Sequence, residues 1–81
     1  MITVAQVRAA RGLLDWNQTK LAEATGLALS TIKRMEGGEG ILRGNSESVW
    51  KVQRALETAG VEFIEQNGGG RGVRLKTRTP D

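Results

Sequence analysis

The chain is poor in reactive side chains. Among its 81 residues there is no His, no Cys and no Tyr. That removes zinc fingers, thiolate sites, serine–histidine triads and the commonest proton shuttle. Asp15, Glu23, Glu39, Glu47, Glu57, Glu62 and Glu65 have no such neighbours, so neither a metal site nor an acid/base pair is expected from them. Its glycine clusters are equally weak as phosphate cradles. Residues 37–40 lack the Gly-Lys-Ser/Thr ending of a P-loop, and residues 68–72 lead into a strand candidate rather than a helix. Both read as turns, with a phosphate contact by Arg43 or Arg71 as the minor alternative. No enzyme activity, cofactor or metal is expected.

What remains is cation chemistry. Lys and Arg number 12 against 9 Asp and Glu, a net charge of +3, and the isoelectric point lies near 10.0. Five cations face three anions in residues 1–36, three face three in 37–60, and four face three in 61–81. A surplus of this kind favours nucleic acid or an acidic partner over an acidic substrate.

Such groups need a scaffold, and this length allows one domain. A chain this short buries roughly 60–65% of its unfolded surface. Without disulfides, close packing and a second subunit are the expected sources of stability. The apolar runs fall far short of the ~18 residues that cross a bilayer. The N-terminal residues show no cationic segment followed by an apolar stretch. A soluble, cytoplasmic protein away from membranes is the expectation.

Residues 3–36 carry helical apolar spacing broken into three helices. Thr3 and Gln6 form a capping-box pattern, and Val4, Val7, Ala10 or Arg11, and Leu14 follow on one face. Asn17 is a good cap for a second helix over residues 18–25, with Leu21 and Ala22 inward and Gly26 as its stop. A third helix over residues 29–36 turns Ile32 and Met35 inward before Gly37 and Gly38. Residues 37–45 read as a loop. Ser46 is expected to cap a fourth helix reaching Ala59, with Val49, Val52, Leu56 and Ala59 as its stripe and Trp50 beside it. Residues 61–65 and 72–76 are strand candidates flanking residues 67–71, where Asn67-Gly68 gives a hairpin signal. The predicted fold is mainly helical α+β. It comprises a four-helix unit over 1–60, a hairpin over 61–76 and a flexible tail over 77–81.

One constellation carries the functional expectation. Leu21, Ala22, Gly26, Ile32 and Met35 each have a steric reason within a helix-turn-helix. Ala22 is small where two helices cross, Gly26 supplies a left-handed turn, and the others fill the wedge beneath.

The segment NQTKLAEATGLALSTIKRME, residues 17–36, resembles the core of the XRE family of phage-repressor, Cro-like proteins. The resemblance extends to the preceding helix and to residues 46–59, about two thirds of the chain. The tail GVEFIEQNGGGRGVRL, residues 60–75, resembles the ending of very short bacterial members, in which a hairpin replaces a fifth helix. The resemblance implies a dimeric DNA-binding regulator of transcription, with the start of the third helix in the major groove. Carried onto this sequence, the DNA-facing positions are Leu29, Ser30, Thr31, Lys33 and Arg34. Lys33 or Arg34 would donate to guanine O6/N7, and Leu29 would touch a thymine methyl. Gln18 matches a position that contacts phosphate and buttresses base-reading side chains. Arg11 and Glu36 match an internal salt bridge joining the first helix to the third.

Two departures stand out. Ala28 occupies the capping position of the third helix, which leaves open a start at Ser30. Leu29 is apolar where a polar base-reader is common; exposed, it would favour a protein-facing role for this surface. Trp16 and Trp50 are expected to pack rather than stack on bases, and Arg71, Arg74, Lys76 and Arg78 to form a solvated strand edge. A homodimer is expected through the hairpin. Phe63 and Val73, with Val61 and Leu75, share one face, and Ile64 points the other way as an exposed apolar residue. The main expectation is a sequence-specific repressor of a palindromic operator. The alternatives are an antiactivator that sequesters another regulator through the Leu29 face or the hairpin, and an antitoxin.

Overall fold

A computed structural model of the protein describes residues 1–65 and 68–76. The Asn67 part of the expected turn, Arg78 and the tail over 77–81 lie outside the described residues. Four helices, α1 (Val4–Leu14), α2 (Gln18–Thr25), α3 (Leu29–Glu36) and α4 (Ser46–Thr58), precede strands β1 (Val61–Ile64) and β2 (Gly72–Leu75). The strands pair antiparallel, Val61 opposite Leu75 and Phe63 opposite Val73. The α+β character read from the sequence is present. Among the described residues no helix is long and apolar enough to cross a membrane.

The helix starts follow local hydrogen-bond chemistry. Thr3 Oγ1 accepts the Gln6 amide at 3.1 Å, and Gln6 Oε1 accepts the Thr3 amide at 2.9 Å, closing the expected capping box. Asn17 caps α2 by accepting the Lys20 amide at 2.8 Å. For α4 the cap is Asn45, not Ser46. Asn45 Oδ1 accepts the Ser48 amide at 2.7 Å, and Ser46 becomes the first helical residue. Asn caps as well as Ser does, so the helix gains a residue at no loss. Ala28 gives α3 no side-chain cap, yet the helix begins at Leu29. The Ala28 carbonyl already accepts the Thr31 and Ile32 amides, and Leu29 packs on the core. Tertiary packing replaces the cap.

Turns are set as sharply. Gly26, at φ 76°, ends α2 in the left-handed region; a Cβ there would meet no atom, so the requirement is conformational rather than spatial. Asp15 takes the same region at φ 57° without being glycine, as short polar side chains tolerate.

One pairing was invisible in the sequence. Residues 37–45 do not merely loop. Thr3 and Ile41 form an antiparallel bridge, and the Leu42 amide donates to the Ile2 carbonyl at 3.0 Å. Ile2 and Leu42 thereby join the core with Val4, Val7, Leu21, Ile32, Val52, Leu56 and Val61. Gly44 lies against Met35, where an added Cβ would approach the methionine methyl to 3.1 Å.

Candidate nucleic-acid interface

The expected pair between α1 and α3 forms, and it fixes the position of α3. Arg11 Nε and Nη2 each donate at 2.7 Å to the two oxygens of Glu36, whose side chain is only 3% exposed. The parallel two-bond fork is the strong form of this interaction. Arg11 Nη1 also donates to the Trp16 carbonyl at 3.1 Å, while the Arg11 carbonyl accepts the Trp16 amide. One side chain thus ties α1 to α3 and to the turn before α2. Gln18 Nε2 adds a third bond to Glu36 Oε1 at 3.2 Å, and Arg8 Nη2 donates to the Glu36 carbonyl. The side chain of Gln18 therefore bonds the buried structural carboxylate, not one of the side chains expected to read bases. Arg8, not singled out by its spacing, is the residue sequence reasoning missed.

With Ile32, Met35 and Glu36 buried, α3 turns Ser30, Lys33 and Arg34 to solvent. Among the described residues neither Lys33 nor Arg34 makes an ion pair. Thr31 is half-buried. It lines, with Arg34, Glu39, Arg43 and Asn45, a cleft of about 320 Å³ between α3 and the start of α4. Leu29 departs from expectation: it is half-buried and packs on the core instead of standing exposed. Leu29 shares one stripe of α3 with Ile32 and Glu36, three and seven residues on, so the helix itself turns it toward the core. The outer face formed by Ser30, Lys33 and Arg34 is therefore polar and cationic, and Leu29 is not the exposed leucine that favoured a protein-facing role.

The hairpin is attached through Gln6. This buried side chain, besides closing its cap, donates from Nε2 to the Gly72 carbonyl at 2.9 Å and the Ile64 carbonyl at 3.3 Å. Phe63 and Val73 pack on the core, as their shared face predicts. Ile64, expected to be exposed, is half-buried; the exposed residue is Leu75, at 46%. The helices cover the β1 end of that face more completely than the β2 edge. Leu75 lines a cleft with Leu13, Leu14 and Thr58, and Leu13 is itself exposed. On the other face Arg74 donates to both oxygens of Glu62, at 3.0 and 3.3 Å. That hydrogen bonding, reinforced by the guanidinium charge, holds the Glu62 carboxyl below its ordinary value and raises Arg74.

Trp50 corrects another expectation. It is 62% exposed, whereas Trp16 packs against the core edge with Lys20 Nζ 5.8 Å from its ring centre. Trp50 falls outside the buried stripe of Val52 and Leu56. Among the described residues no group of three or more carboxylates could hold a metal ion. No protein-family model matches the chain, and no curated protein matches it at a significant level.

Proposed function

We propose that the chain is a helix-turn-helix protein of the phage-repressor, Cro-like type that binds double-stranded DNA at a specific site and represses transcription. One observation carries this reading: α3 is locked from beneath by Arg11, Gln18 and the buried Glu36 while Ser30, Lys33 and Arg34 face outward. A helix with its side chains is about 10–12 Å across, which the major groove, about 12 Å wide, admits.

In this reading α3 enters the groove by its outer face. Arg34 or Lys33 donates to guanine O6 and N7, Ser30 contacts a neighbouring base or phosphate, and Thr31 lies at the margin. Gln18 and Arg11 act as positioning residues. Arg43, sharing the Arg34 cleft, meets the backbone alongside. Glu39 in that cleft disfavours close phosphate approach at its own end.

The reading includes a homodimer, which would set two copies of α3 roughly 34 Å apart on a palindrome. Its support is the exposed Leu13 and Leu75 at one seam, beside the outer edge of β2. Selection of duplexes from a random pool by the full-length protein, at low and at physiological salt, tests the function. A recovered palindrome whose binding weakens steeply with salt is expected. Binding that is salt-sensitive but indifferent to sequence would overturn it.

A further inference from the structure

We propose that the groove between α2 and α4 is a docking site for an acidic, amphipathic helix of a second protein. Both tryptophans of the chain line this groove of about 360 Å³, Trp16 from the segment before α2 and Trp50 from α4. Its remaining walls include the small Ala24 and Ala55 and the cations Lys51 and Arg54. None of its lining residues comes from α3, so this surface is separate from the one assigned above to DNA and does not depend on that assignment.

Several features point to this occupant. Trp50 is 62% exposed and is not isolated; exposed apolar residues that adjoin one another mark interaction surfaces. Trp and Arg are also the residue types most often found at the energetic centre of protein interfaces. Trp50 borders a second cleft as well, beside Val49, Leu42 and the 79%-exposed Met1, so the apolar surface continues across α4.

Charge then selects among occupants. No carboxylate lines either cleft. Glu47 lies 3.8 Å from Lys51, leaving Arg54 without an ion-pair partner among the described residues. A second copy of this groove would set Arg54 and Lys51 against their own equivalents, which disfavours a symmetric dimer here. A single-stranded nucleic acid needs successive open rings. Here Lys20 sits over the Trp16 ring, and only Trp50 stands open. The small Ala24 and Ala55 in the same groove as the indoles instead leave room for large apolar anchors of a helix, its acidic flank lying on Arg54 and Lys51.

A helical peptide library displayed on phage and selected on the full-length protein tests the proposal. The expected winners carry large apolar residues at helical spacing flanked by Asp or Glu. Their synthetic versions should change the tryptophan emission of the protein saturably. Labelled peptide should lose at least about tenfold in affinity toward Trp50→Ala, and similarly toward the Lys51→Glu/Arg54→Glu double variant. Both variants alter exposed or half-exposed side chains, and unchanged far-ultraviolet circular dichroism verifies their folding. Failure to enrich any peptide, winners without acidic bias, or equal binding to Trp50→Ala would overturn the proposal. So would saturable quenching by oligothymidylate in place of peptide, or self-association abolished by Trp50→Ala.

Discussion

Replacing Arg11 with Ala should destabilise the protein far more than it weakens any DNA contact. The substitution removes both fork bonds to Glu36 and the bond to the Trp16 carbonyl, leaving Gln18 as the only side-chain donor among the described residues on a carboxylate that is 3% exposed. Removing one partner of a buried pair costs about 3–5 kcal/mol, because the other charge stays buried and uncompensated. The remaining Gln18 bond and the partial solvent access of Arg11 place the value near the lower end, about 3 kcal/mol. A domain of this size has a total stability of about 4–12 kcal/mol. The melting temperature should therefore fall by about 12–24 °C. Glu36→Ala should cost less, about 1.5–3 kcal/mol, because the orphaned guanidinium can reach water. The double variant should be no worse than Arg11→Ala alone, giving a coupling energy of at least about 1 kcal/mol. Thermal and urea denaturation of the four proteins, followed by circular dichroism, supply the cycle. Additive single effects would refute the reasoning, since they would mean that the two side chains act independently.

Further outcomes follow from other parts of the molecule. Lys33→Ala and Arg34→Ala should each relax specificity at one base pair of the selected site and cost about 1–3 kcal/mol in binding; a pair of variants that bind like the parent would remove α3 from the groove. Gln6→Ala should release the hairpin, since it deletes donors to the Ile64 and Gly72 carbonyls. Amide exchange should then accelerate over residues 61–64 and 72–75 while α2 and α3 stay protected, and uniform acceleration would contradict this local role. Leu75→Glu should convert a dimer to a monomer in sedimentation, whereas a parent already monomeric at tens of micromolar would sink the dimer; truncation at Gly60 is a poorer probe because it removes the fully buried Val61. Arg74 depresses the Glu62 carboxyl in the folded hairpin, so its contribution is complete above the ordinary carboxylate value and is lost as pH falls through the lower folded value. Cross-strand nuclear Overhauser contacts should weaken on acidification in the parent and show less pH dependence in Glu62→Gln; identical profiles would argue against the pair.

Periodicity and capping chemistry made the helical half legible. Thr3, Gln6, Asn17 and Gly26 are local signals, and each does in the structure what its type suggests. The Arg11–Glu36 pair was legible only through family resemblance, because nothing in a spacing of this length marks two residues as partners. The contributions of Arg8 and Gln18 to Glu36 are likewise tertiary. Leu29 was placed outward by the family resemblance, although its spacing to Ile32 and Glu36, three and seven residues on, puts it on the inward stripe of α3, where the structure has it. Strand alternation placed Phe63 and Val73 on one face correctly, and it could not tell how far the helices extend over that face. Hence Leu75, on that face, is left exposed, while Ile64 on the opposite face is half-buried. The bridge between Thr3 and Ile41 depends on two short segments with no hairpin between them, which no local pattern announces.

The central claim, that α3 is the surface that reads DNA, is tested most directly by titrating isotope-labelled full-length protein with the selected duplex and mapping the resonances that move. Shifts concentrated on residues 30–34 and on Arg43, with contacts from Lys33 or Arg34 side chains to base protons, are the predicted result. Shifts confined to the hairpin or to the Trp16–Trp50 groove, with α3 unperturbed, would contradict it.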